Sequence, residues 1–275
     1  MGTPRGVLSA FALAAFGCHG ALVQDDRSDA SDAGADSAEA PPDTGCGASI
    51  PPEFACNKRA GGPAMVQIAD FCIDVTEVTN AQYQVFVKAI EAGYVPVKPT
   101  KCVSKKSFVP SEVMEAGNRP VTGVDWCDAY AFCAWAGKRL CGRRGDGAAM
   151  PTGDVKGGFL DSSQSEWVHA CTNGGTSVYP YTGSFAPTRC NGFAAGAQPV
   201  RNSCDCHGAT GAFAQVFDMS GNVYEWVNSC GTDYCHIAGG SFNSDGPGLR
   251  CRWADYGTLD ERKPAMGIRC CASAP

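Results

Sequence analysis

Seventeen cysteines stand in this chain of 275 residues, Cys18 near the start and sixteen more from Cys46 to Cys271. Thiols at this density can hold a soft metal ion as thiolates, or they can oxidise to disulfides. Zinc is disfavoured, because no two Cys-x-x-Cys pairs stand at zinc spacing and His19, His169, His207 and His236 are scattered. Cys230 and Cys235 in "CGTDYC" are five residues apart, a separation that serves a two-thiolate metal site or a local loop disulfide. A second chemistry is offered by oxygen. In "GNVYEW" the side chains of Asn222 and Glu225 lie three residues apart, and Gly221 and Val223 can turn their carbonyls inward, the kind of oxygen set calcium prefers. The alternative is that Asn222 and Glu225 cap a turn and pair with backbone groups.

The first residues set the redox compartment. Arg5 followed by the apolar run Val7 to Phe16 is too short to span a bilayer but suits a secretory leader. It ends in Ala15-Phe16-Gly17-Cys18, which reads as a bacterial lipobox with Cys18 acylated, residues 1–18 being the leader. Residues 19–50 are rich in Asp, Ala, Ser and Pro, with seven acids and one arginine, and offer too little burial to offset ordering, so a disordered acidic tether is expected. The domain from residue 51 to 275 then carries 20 basic and 21 acidic residues, a balance that gives no electrostatic case for nucleic acid or for an anionic membrane. In an exported chain, an even set of sixteen cysteines reads as a disulfide framework whose pairing the sequence leaves open.

Residues 64–78 alternate enough apolar and β-branched side chains to predict a strand. A helix follows, capped by Thr79 with Gln82, with Tyr83, Phe86, Val87 and Ile90 on one face and Gly93 at its end. A second helix starts at Asp125 with Asp128 at capping-box distance and ends at Gly137, and a third starts near Ser163 with Glu166 as partner. Short strands are predicted at 213–217, 222–227 and 266–271. With 34 glycines and 17 prolines, the remainder is loop-rich, and the expected class is one irregular α+β domain held by disulfides.

Seven segments in order, "FCIDVTEVTNAQYQVFV", "RPVTGVDWCDAYAFCAWAGKRL", "SEWVHACTNGG", "YPYTGS", "DMSGNVYEW", "AGGSF" and "MGIRCC", resemble the formylglycine-generating enzyme, or sulfatase-modifying factor, family. The resemblance runs from about residue 60 to the C-terminus and implies a variation on the C-type-lectin-like fold. It also implies a structural calcium site in the "GNVYEW" segment and a second one using Asn191, for which no matching aspartate follows.

Family enzymes convert a substrate cysteine to formylglycine with oxygen and a Cu(I) ion held by two cysteine thiolates. The first would lie three residues beyond the Gly-Gly-Ser serine, Ser241, and here that position is Ser244. The second falls on Leu249, and Cys251 could fill it only after a two-residue shift. A serine hydroxyl is hard, stays protonated near neutral pH and cannot replace a thiolate on Cu(I). Ser241 and Trp226 do match family residues that flank the oxygen-binding position. With the lipobox, the acidic tether and Ser244, the chain is expected to be a catalytically degenerate, lipid-anchored envelope module that binds or scaffolds an envelope protein or glycan. The alternative is a copper-dependent oxidase acting on a sulfatase cysteine through Cys251 or through Cys230 and Cys235.

Overall fold

The structure is a computed structural model that describes Gly2, Cys46 and residues 49–56, 61–114, 117–152, 158–181 and 183–275. The chain divides into two units, Met1–Glu39 and Ala40–Pro275. The leader apart from Gly2, Cys18 included, and most of the expected tether lie outside the described residues. The end of the 19–50 stretch is bonded to the domain, since Cys46 forms a disulfide with Cys204 and its N–H donates to the Arg201 carbonyl at 3.2 Å.

Eleven regular elements form the described part of the second unit: β1 (Met65–Ile68), β2 (Phe71–Asp74), α1 (Asn80–Glu91), α2 (Trp126–Trp135), β3 (Arg139–Leu140), α3 (Glu166–Cys171), β4 (Tyr224–Cys230), β5 (Tyr234–Ala238), β6 (Ala254–Thr258), β7 (Met266–Ile268) and β8 (Cys270–Ser273). They build two four-stranded sheets, β1-β2-β8-β3 and β6-β5-β4-β7, with β4 and β7 parallel and the other neighbours antiparallel. This is the α+β, loop-rich C-type-lectin-like architecture expected of the sequence.

Local chemistry accounts for most elements. Thr79 and Gln82 close a capping box on α1, and Asp125 and Asp128 close one on α2, which satisfies backbone N–H groups that a helix start leaves unpaired. Three expectations are corrected. The predicted strand over 64–78 is a hairpin, broken where Ala69 takes φ +54° in a tight turn. The third helix is capped by Ser165, whose Oγ accepts from Val168 N–H. Ser163 instead bonds Asp161. Residues Gly211–Gln215 curl into a 3-10 turn, because the Val216 N–H folds back onto the Phe213 carbonyl and no strand pairs with the Ala-rich run.

Two main apolar clusters form the core. Tyr83 and Phe86 of α1 pack with Phe132 of α2 and with Trp226 and Ile268 in one. The other joins Phe71, Trp167, Val227 and Met219. The three fully buried tryptophans each donate their indole N–H, Trp126 to the Val227 carbonyl, Trp226 to the Val124 carbonyl and Trp167 to Glu225, so none brings an unsatisfied polar group inside.

Each of the sixteen cysteines from Cys46 to Cys271 is in a disulfide: 46–204, 56–72, 102–127, 133–270, 141–271, 171–251, 190–206 and 230–235. Neighbouring strand residues face opposite sides of a sheet. Cys270 and Cys271 of β8 use that alternation, tying the first sheet to α2 on one side and to Cys141, just beyond β3, on the other.

Candidate functional site

β5 runs into the turn Gly239-Gly240-Ser241. Glycine is required at 240, where φ is +72° and a Cβ would lie 2.6 Å from the Gly248 carbonyl oxygen. Ser241 and Ser244 then close a small reciprocal turn. The Ser241 N–H donates to Ser244 Oγ at 2.9 Å, and the Ser244 N–H donates to the Ser241 carbonyl at 3.0 Å. Ser241 Oγ donates to Asn243 Oδ1 at 2.6 Å, and Ser244 Oγ donates to the Tyr224 hydroxyl at 3.3 Å. Both serines are buried. Ser244 is thus an oxygen acceptor that holds its own loop, a role for which a thiol sulfur is a weaker acceptor.

The other positions expected of a copper site are also committed. Leu249 is buried in an apolar cluster with Tyr179, Tyr181 and the Cys190–Cys206 bridge, against Gly192 and Gly240. Cys251 is bonded to Cys171, and Cys230 is bonded to Cys235 directly across β4 and β5. Trp226 is a core residue with its N–H on Val124. Among the described residues no thiolate is left to bind Cu(I), so the groups present do not fit that ion.

Beside this turn lies a buried polar centre that sequence reasoning saw only in part. Glu225 of β4 accepts from Arg269 between β7 and β8, at 2.8 Å to NH2 and 2.9 Å to Nε, and from Trp167 of α3 at 2.6 Å. Arg269 also donates to the Asp74 and Phe217 carbonyls, so this side chain joins β2, β4 and the segment before the "GNVYEW" turn. Burial would strip its proton, but Glu225 first, then Glu77 and Asp218, outweigh burial and raise its pKa above the ordinary value. Charged letters inside apolar runs, Glu77 in "VTEV" and Arg269 in "GIRCC", are the signal that could have located this centre.

Asn222, at φ +58°, is held in the same region. Its Oδ1 accepts from Asn191 Nδ2 at 3.0 Å and Gln198 N–H at 2.8 Å, and its Nδ2 donates to Glu77 Oε1 at 3.0 Å. Asn191 turns its amide N–H groups, rather than its oxygen, toward Asn222 and toward the Gly196 carbonyl. Of the side chains expected to bind calcium, Glu225 faces a guanidinium and an indole, while Asn222 meets Asn191, Glu77 and backbone groups. Among the described residues no group of three or more His, Cys, Asp or Glu side chains is arranged to hold a metal ion.

Glu77 is buried, and its Oε2 has no hydrogen-bond partner. Burial, then the charges of Asp218 and Glu225, push its carboxyl well above the ordinary value of 4.5, with Arg269 offsetting part of the rise. The folded state keeps this proton at pH values where the unfolded chain has released it. Its contribution to stability is therefore present below the ordinary value and is lost as pH rises from there through the folded-state pKa. Glu77→Gln, which keeps a neutral hydrogen-bonding group, is expected to flatten the fall of unfolding free energy with rising pH in urea titrations. An unchanged slope would count against a protonated Glu77.

The sulfatase-modifying factor enzyme 1-like domain family matches this chain over residues 47–274. Curated relatives include the inactive C-alpha-formylglycine-generating enzyme 2 of Mus musculus, 30% identical over 183 residues, covering 60% of this chain and 52% of that protein. The formylglycine-generating enzyme of Thermomonospora curvata is 28% identical over 207 residues, covering 58% of this chain and 60% of that one. The chain thus spans about half the length of the curated relatives it matches. Among solved structures, CarF aligns with a TM-score of 0.50 at 20% identity over 80% of this chain and 98% of its own. PvdO from Pseudomonas aeruginosa aligns with a TM-score of 0.50 at 18% identity over 74% of this chain and 80% of its own.

Proposed function

Because the chain belongs to the sulfatase-modifying factor enzyme 1-like family, we propose that it keeps the family's fold without its oxidase chemistry and serves as a binding or scaffold module at the cell envelope. The observation that carries this reading is the loss of both thiolate positions: Ser244 closes its own turn, Leu249 is packed in an apolar cluster, and Cys251 is held by Cys171. Similarity alone does not choose, since relatives named as active and as inactive enzymes match at 28% and 30% identity. What supports the inactive reading is the chemistry of the residues at the site.

In this proposal Cys18 carries a lipid anchor, the acidic stretch tethers the domain to it, and eight disulfides keep the domain folded in an oxidising compartment. The ligand class is an envelope protein or glycan, bound on the loop-rich surface that the fold presents.

The reading is tested with a cysteine-containing sulfatase peptide, Cu(I) and oxygen, with peptide mass followed in time. The expected result is no formylglycine above the protein-free control. Turnover that depends on the chain would reverse the reading in favour of a copper-dependent oxidase with a displaced site.

A further inference from the structure

Between α1 and α2, residues 92–111 carry four lysines and no acidic residue, within a domain that is nearly neutral as a whole. Lys98, Lys101 and Lys106 are exposed, Lys98 donating to the Lys105 carbonyl at 3.0 Å and Lys101 lying over the Trp126 ring, while Lys105 is paired with Asp125 and Asp128. In the same stretch Val95, Val97, Val103 and Val109 are 80%, 52%, 67% and 53% exposed.

The anchors of the stretch explain why these side chains face outward. Tyr94 and Phe108 both pack edge-on against Phe86, with ring centroids 6.4 and 6.0 Å away. Cys102 is bonded to Cys127, and the Tyr83 hydroxyl donates to the Phe108 carbonyl at 2.8 Å. The loop therefore leaves from and returns to one aromatic ring, with Val95 and Val109 beside the two feet and Val97 and Val103 on the excursion between them.

Single exposed apolar side chains are ordinary, but a concentration of them is not. Four of the twelve large exposed apolar side chains among the described residues fall within residues 92–111. The composition selects the occupant. Protein interfaces favour aromatic residues and arginine and are poor in lysine, whereas this loop exposes valine as its large apolar residue and lysine as its charge. Aliphatic groups that can enter the headgroup boundary, beside ammonium groups that can reach lipid phosphates, match an anionic bilayer surface.

We propose that this loop docks the domain on an anionic bilayer, with the valines in the headgroup region and Lys98, Lys101 and Lys106 on the phosphates. The near-zero sum over the domain conceals this local charge. The proposal does not depend on acylation of Cys18.

The test uses the full chain with Cys18→Ser, sedimented with phosphatidylcholine vesicles that contain about one-third phosphatidylglycerol. The reference is the same chain with Lys98→Gln, Lys101→Gln and Lys106→Gln, which shares every other segment. The parent is expected to partition at least about tenfold more strongly than this variant, with the difference shrinking as salt rises. Val95→Ser with Val103→Ser is expected to weaken binding several-fold while leaving the salt dependence unchanged. All five side chains are exposed, so an unchanged thermal midpoint verifies folding in each variant. Equal partition of the parent and the lysine variant would overturn the proposal. Retention on polyglutamate with none on vesicles would overturn it too, in favour of an acidic polypeptide partner.

Discussion

Arg269→Met is expected to destabilise the domain by about 3–5 kcal/mol, because it leaves a carboxylate buried without its cation. Arg269 and Glu225 are 0% and 1% exposed at the side chain, and the guanidinium also satisfies two backbone carbonyls on separate segments. Removing it strands Glu225 and takes away the charge that partly offsets Glu77. Equilibrium unfolding of Arg269→Met, Glu225→Leu and the double variant forms a cycle. The double variant should lose less than the sum of the two singles, because two apolar residues in place of a buried pair leave no orphaned charge. A loss under about 1 kcal/mol for Arg269→Met would mean that water reaches this centre and screens it.

Opening the Cys171–Cys251 bridge is the second large effect, expected at about 2–5 kcal/mol for the pair Cys171→Ala and Cys251→Ala. The bridge spans 80 residues and joins α3 to the segment after the Gly-Gly-Ser turn, and both sulfurs are buried in the second core cluster. The two single substitutions should cost nearly as much as the double one, since each breaks the same bond. That equality also bears on function. A Cys251 acting as a free metal thiolate would make Cys171→Ala nearly neutral in stability, and such a result would reopen the oxidase alternative.

Much of the fold was legible because short-range chemistry determined it. Thr79 with Gln82 and Asp125 with Asp128 each carry a complete capping box in four letters, and both helices start where those boxes place them. The misses have a common cause. Residues 64–78 look strand-like throughout, yet the break at Ala69 and Asp70 carries no Gly, Pro or Asn to mark it. Ser163 and Ser165 are both plausible caps, and the choice falls to Ser165 because Glu166 is drawn to Arg139 and the Gly142 N–H. Neither partner is near in sequence.

The site divides in the same way. Ser244 and Leu249 could be read as the wrong chemistry for copper from their letters alone. The engagement of Cys251 needed the fold, since sixteen cysteines pair in many ways and only packing selects Cys171. The polar centre was legible only in part, because Asn222 and Glu225 lie three residues apart in the chain, while the cation that meets Glu225 comes from Arg269, 44 residues away. The basic valine loop was hidden by summing charge over the whole domain.

The most direct test of the central claim is a thiol count with Cu(I) titration on the oxidised full chain carrying Cys18→Ser. The account predicts no reactive thiol in the folded protein, because all sixteen remaining cysteines are paired, and no tight copper binding. Two free thiols that bind one Cu(I) together would contradict it and would place an oxidase site on this chain.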